Sequence, residues 1–284
     1  MKNKVPLIIL LLFVCTFVHS QTIHWIIFGD TKDNQNGGEV ESSLSLLNPK
    51  FIDRVDDAMQ AKGYFSKRSF YTGSRFSEQN CKDLIGSLSC DKNDIVVFYY
   101  LGHGARALIA KDQRKSYTQS HPWPDLNFKN GNIQKEYLSL EAVHNELKKK
   151  GARLTITIGM CCNEERSTHR KHSGPVMGMQ AKRYKIVSKS FAKRIQKWFL
   201  RNKGDVIVSA ASPDEMANGG WEYDSVSVDC FTGAFCETID GYAQSESTTD
   251  ITWYNFFKKV ADRCKANAKE LGEIQNVRFK TNLN

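Results

Sequence analysis

Short apolar runs rich in β-branched and aromatic residues occur at 23–28, 64–71, 95–101, 154–160 and 206–210, and each is bounded by polar or glycine-containing sequence. That pattern predicts strands. Helical patterns lie between them. Asn48-Pro49-Lys50 opens FIDRVDDAMQAKG, which stops at Gly63; Ser77 caps EQNCKDLIGSL; Ser139 caps LEAVHNELKKKG, with lysines in the last turn and Gly151 beyond it. SKSFAKRIQKWFLRNKG precedes the fifth strand, and DITWYNFFKKVADRCKANAKEL reads as a late helix capped by Asp250. Strands alternating with helices predict βαβ units, and therefore an α/β fold with a parallel sheet covered on both faces.

This topology directs attention to the residues that follow each strand, because crossovers leave a crevice outside the carboxyl ends. Those residues are Gly29-Asp30-Thr31, Thr72-Gly73, Gly102-His103-Gly104, Cys161-Cys162-Asn163 and Ser212-Pro213-Asp214-Glu215. Two of the five carry distinctive chemistry. His103 stands between two glycines, which let the chain turn sharply and a ligand approach the backbone. Cys161 and Cys162 stand together where the fourth strand stops. If the third and fourth strands are neighbours, their ends lie about 5 Å apart, so an imidazole and a thiol share one crevice. An imidazole there can take the thiol proton and yield a nucleophile for acyl transfer.

Other readings of the cysteine pair stay open at this stage. Either thiol could bridge to a distant partner, although a bridge between adjacent cysteines strains the peptide between them. Cys161, Cys162, His169 and His172 could form a metal module, at a spacing unlike the usual zinc fingers. One of the pair, expected to be Cys161, could simply pack as a small apolar residue.

The amino terminus sets the compartment. Lys2 and Lys4 precede an apolar stretch over 5–18 and a small, polar segment ending at Ser20, the layout of a secretory signal peptide cleaved after Ser20. Crossing a bilayer takes about 20 apolar residues, so this stretch is not a lasting membrane anchor. A lipoprotein reading with Cys15 acylated is weaker, because Val14 is not the small residue such processing favours. The expected mature chain, 21–284, is an exported single domain, since no linker, repeat or low-complexity tract divides it. The whole chain has 284 residues and a formal net charge of +9. That charge is spread along the sequence and predicts a solvated basic surface rather than nucleic-acid binding. Seven cysteines follow the leader, an odd number that leaves at least one thiol unpaired. Cys81 with Cys90 and Cys230 with Cys236 are near enough in sequence to be considered as pairs.

FSEQNCKDLIGSLSCDKNDIVVFYYLGHGAR resembles the helix, strand and histidine turn of caspase-like cysteine peptidases, especially bacterial metacaspase relatives. ITIGMCCNEE resembles their second motif, in which a strand ends in D-x-C or Q-A-C. GDVIVSAASPDEMANGG and DCFTGAFCETIDG resemble later segments of the same domain. The resemblance runs from about Ile23 to Gly241. It implies a three-layer α/β/α sandwich around a mainly parallel six-stranded sheet, with His103 as general base and acid and Cys162 as nucleophile. It further implies an oxyanion hole from the backbone N–H groups of Gly104 and Cys162, with no metal or cofactor in the chemistry; calcium control is left open. Substrates would be peptides or proteins.

One departure concerns specificity. Met160 occupies the position where metacaspases carry an aspartate that helps hold an Arg or Lys side chain. Asp30, Asp33, Asp214 and Glu215, all following strands, are therefore the candidates to line that pocket beside Met160 and to keep a preference for Arg or Lys. The basic stretch 164–190 after the nucleophile corresponds to a linker that caspase relatives often cut, and is a candidate for self-processing. A catalytically silent domain of the same fold that binds a peptide or partner is the alternative.

Overall fold

The computed structural model describes residues 21–106, 114–128, 138–165, 187–245 and 249–284. The expected leader, 1–20, and most of the 164–190 stretch lie outside them. The chain begins with β1 (Gln21–Gly29), followed by α1 (Gly37–Leu47), a π-helical turn at Asn48–Ile52 and α2 (Asp53–Gln60). Next come β2 (Tyr64–Thr72), α3 (Glu78–Ser87), β3 (Ile95–Leu101) and the very short β4 (Gly104–Ala105). A short helix α4 (Arg114–Ser120) and two short strands, β5 (Asp125–Leu126) and β6 (Leu138–Ser139), lead to α5 (Leu140–Lys148) and β7 (Leu154–Met160). The carboxyl-terminal half contains α6 (Lys189–Leu200), β8 (Gly204–Ser209), a hairpin of β9 (Trp221–Tyr223) and β10 (Val226–Val228), α7 (Cys230–Gln244), α8 (Trp253–Glu270) and β11 (Arg278–Leu283).

The central sheet has six strands in the order β11-β8-β7-β3-β1-β2, all parallel except β11. Both faces are covered because alternate strand residues point to opposite sides. Ile23, Trp25 and Ile27 of β1, with Val97 and Tyr99 of β3 and Ile156 and Ile158 of β7, pack beneath α1, α2, α6, α7 and α8. Ile26 and Phe28, with Val96, Phe98 and Tyr100, face α3 and α5 through Cys81, Ile85, Leu140, Val143 and Leu147. Burying each such side chain contributes about 1.5–3 kcal/mol, which fixes the register and hence where every strand ends.

The helix starts expected at Ser77, Ser139 and Ser188 are realised as side-chain caps accepting from the N–H groups of Asn80, Ala142 and Phe191. Asp250 is not the cap of α8. Thr252 performs that role, and the Asp250 carboxylate instead pairs with Lys197 and Arg201 of α6. All seven cysteines after the leader are free thiols. Cys230 and Cys236 lie six residues apart on α7, about 9 Å along the axis, beyond the reach of a bridge.

Candidate active site

β3 and β7 are adjacent parallel strands with Leu101 opposite Met160. His103 and Cys162 therefore each sit two residues past matched strand ends. The Gly102 N–H donates to the Met160 carbonyl at 3.2 Å, joining the two turns. At Gly104 a Cβ would lie 2.4 Å from the Cys162 carbonyl oxygen and 2.6 Å from Cys161 Sγ, so only glycine lets the turns meet this closely. The Tyr100 hydroxyl lies 2.7 Å from the carbonyl oxygens of both His103 and Asn127, fixing the histidine turn from below.

The doubled cysteine separates into two roles by burial. Cys161 is buried against the face beneath α3 and α5, and burial pushes its thiol well above the ordinary range. Cys162 is less buried and lines a small cleft of about 30 Å³ together with Cys161, His103, Met160, Glu39, Ala217 and Asp229. Its Sγ accepts from the Ala217 N–H at 3.4 Å. Burial, and after it the charges of Glu164 and Glu39, push the thiol up to about 12 against the opposing Ala217 contact. The resting group is a neutral thiol that needs a base to ionise.

His103 stands beside a carboxylate. Its Nε2 is 3.3 Å from Asp33 Oδ2, close but not aligned for a hydrogen bond. Asp33 is held by the N–H groups of Gln35 and Asn36 at 2.9 and 2.7 Å. Burial acts upward on this carboxyl, but His103 and those two donors outweigh it and lower it to about 2. Asp30 lies behind, 1% exposed and with neither carboxylate oxygen hydrogen-bonded to the described residues. Burial and then the neighbouring Asp33 charge raise it to about 6, partly offset by His103.

Of the residues expected to line the specificity pocket, Met160 alone lines the cleft. Asp33 is committed to the histidine. Asp214, held at φ +68°, is half-exposed with Oδ1 3.8 Å from Arg106 Nη1. The Glu215 carboxylate accepts from the backbone and side-chain amides of Asn276 at 2.6 Å, which ties this turn to the approach to β11. The carboxylates that do face the cleft are Glu39, in the first turn of α1, and Asp229. Asp229 caps α7 through the Thr232 N–H and accepts from Ser43 Oγ. Burial, and then the Asp229 charge, raise Glu39 to about 8. Gly219 closes over it, since a Cβ there would lie 2.1 Å from Glu39 Oε2.

Sequence reasoning missed Glu39 and Asp229. The signal for Asp229 was present as an Asp three residues before Thr232 at the head of an apolar run. The metal reading built on Cys161, Cys162, His169 and His172 involves two histidines outside the described residues.

A doubly covered, mainly parallel sheet with histidine and cysteine at adjoining strand ends defines an α/β protein equipped for thiol chemistry. The caspase domain matches residues 53–281, and the chain belongs to that family of cysteine peptidases. The match begins after β1 and α1, yet β1 is part of the sheet, the turn after it carries Asp33, and α1 carries Glu39. No curated protein matches the chain. Among solved structures it is similar to protein GSU0716 from Geobacter sulfurreducens, with 14% identity over 92% of each chain and a TM-score of 0.44.

Proposed function

We propose that the protein is a cysteine endopeptidase in which Cys162 is the nucleophile and His103 the proton carrier, with a preference for Arg or Lys before the scissile bond. The observation that carries this reading is the shared cleft. Both side chains open into it from matched ends of neighbouring strands.

His103 accepts the Cys162 proton as sulfur attacks the substrate carbonyl carbon. The N–H groups of Gly104 and Cys162 receive the developing oxyanion. The imidazolium then gives its proton to the leaving amine. Water, deprotonated by His103, hydrolyses the thioester and restores the thiol. Asp33, 3.3 Å from Nε2, positions the ring and leaves Nδ1 for exchange with sulfur. Glu39 and Asp229 supply the negative charge that a cationic side chain requires, in place of the carboxylate missing at Met160. The resting cleft has room for about one water, so a substrate side chain enters as the Ala217–Gly219 segment moves away from Glu39.

The same reading includes export after leader removal and self-cleavage within 164–190. The neutral resting thiol favours one second reading, a silent caspase-fold domain that binds peptides. Fluorogenic peptides with Arg, Lys, Asp or Ala before the bond, assayed with wild type and Cys162→Ala, test both. Turnover of Arg or Lys substrates that vanishes in Cys162→Ala is expected. Absence of turnover of any substrate, with tight peptide binding, would establish the silent reading, and turnover only after Asp would overturn the specificity.

A further inference from the structure

At the amino-terminal ends of β1 and β3, the end of the sheet away from the cleft, three side chains of different chemistry converge. His24 lies near the start of β1, and Cys90 and Asp94 lie on the segment joining α3 to β3. One donor atom from each falls within 4.8 Å of the others. His24 and Asp94 are 6% and 4% exposed, while Cys90 is half-buried. We propose that His24, Cys90 and Asp94 form a three-ligand zinc site, separate from the catalytic cleft.

The donor set is the first argument. Imidazole nitrogen, thiolate sulfur and carboxylate oxygen together match zinc, whose tetrahedral sites take all three, and suit the harder calcium and magnesium ions poorly. Geometry is the second. With metal–nitrogen and metal–oxygen bonds of about 2.0–2.1 Å, two ligands on one tetrahedral ion stand about 3.3 Å apart. His24 Nε2 and Asp94 Oδ2 are 3.2 Å apart. A thiolate on the same ion stands about 3.6 Å from its neighbours, which Cys90 reaches from within its present distance by a small side-chain rotation.

The surrounding structure orients the ligands as outer partners do in metal sites. Asp94 accepts from the Thr22 N–H through Oδ1 and from the Asp91 N–H through Oδ2, both at 2.8 Å. Its main chain is fixed from both sides, with its N–H donating to Asp91 and its carbonyl accepting from Arg153. Charge is the last argument. A neutral histidine, a thiolate and a carboxylate carry two negative charges, so a divalent ion leaves this largely buried cluster neutral. The bound ion would tie the start of β1 to the entry of β3 and leave one coordination position open at the surface beside Cys90.

The test uses the full chain carrying Cys162→Ala, so that the cleft thiol contributes nothing. Titration with cobalt(II) is expected to give one equivalent of binding with a thiolate-to-cobalt charge-transfer band, which zinc then bleaches. Adding Cys90→Ser should abolish the band, and His24→Gln should weaken binding at least about 10-fold, with circular dichroism confirming the fold. No band, or a band that persists unchanged in Cys90→Ser, would overturn the proposal. If Cys90→Ser does not fold, His24→Gln decides alone, and unchanged cobalt affinity in that variant would sink it.

Discussion

His103 Nε2 lies 3.3 Å from Asp33 Oδ2, so the imidazole offered to Cys162 is backed by a carboxylate that another loop delivers. Asp33 reaches this position because the turn after β1 wraps it with the N–H groups of Gln35 and Asn36. Asn at this position keeps an acceptor for those donors and removes the charge. Asp33→Asn is therefore expected to fold with a lowered Tm at neutral pH, because the depressed carboxyl stabilises the fold there, while kcat falls on the order of 10²-fold. An unchanged kcat across pH would show that Asp33 does no more than shape its turn.

Glu39 gives the cleft its own pH dependence. In the folded protein its carboxyl keeps the proton up to about pH 8, against an ordinary 4.5, chiefly because it is buried. The fold therefore binds this proton more tightly than the unfolded chain. Stability falls as pH rises between those two values, and Glu39→Gln should flatten that part of the curve. Catalysis has the opposite sign for a cationic substrate. kcat/KM toward an Arg peptide should rise through about pH 8 as the carboxylate forms, and Glu39→Gln should lower it at least about 30-fold, the cost of leaving a buried charge unpaired. A peptide with Ala before the bond should show neither effect. Above about pH 8, where Glu39 is ionised, iodoacetamide labelling of Cys162 should quicken in the same variant, since the Glu39 charge then helps hold that thiol up. Equal losses for the Arg and Ala peptides would remove Glu39 from specificity.

The strands and the two turns that carry His103 and Cys162 were legible because a parallel sheet buried on both faces leaves long apolar runs that stop abruptly. β3 and β7 begin and end where the sequence places them. The helix α1 was not legible. Its buried face includes Ser42 and Ser43 beside Val40, Leu46 and Leu47, so small polar residues interrupt the apolar period, and Glu39 was hidden with it. β11 was missed for a related reason. RFKTNL alternates half-buried and exposed positions, but Thr281 stands among the inward-facing ones and the strand lies at the sheet edge. The carboxylates chosen for the pocket followed strands in sequence, yet the cleft draws its acids from the heads of two helices. Sequence order places strand ends in one plane. It does not say which helix terminus leans over them.

Gly104 is the point where the histidine and cysteine turns touch. Replacing it with alanine puts a methyl group 2.4 Å from the Cys162 carbonyl oxygen, and the obstruction is backbone that cannot rotate away. Gly104→Ala should cost about 1–3 kcal/mol, as overpacking does, and should abolish peptide turnover by prising the turns apart. Calorimetry together with alkylation of Cys162 checks it. A variant with near-normal Tm and full turnover would mean that the turns are not held in this register during catalysis.

Lys50 tests how the carboxyl-terminal half of α7 is anchored. Its side chain is 2% exposed, yet Nζ lies 2.5 Å from Asp240 and 3.2 Å from Asp224, and it sits over the Tyr223 ring. Asp240 belongs to α7, the helix capped by Asp229 at the cleft, and it also accepts from Arg54 and Tyr223. Lys50→Met retains the aliphatic stem but leaves a half-neutralised carboxylate cluster in a low-dielectric setting. It should destabilise the protein by about 3 kcal/mol. Adding Asp240→Asn should recover part of that loss, because it removes the charge left without its partner. Chemical denaturation of the two single variants and the double variant measures the coupling directly. Strict additivity would mean that Lys50 and Asp240 act independently and that this ion pair does not hold the carboxyl-terminal half of α7.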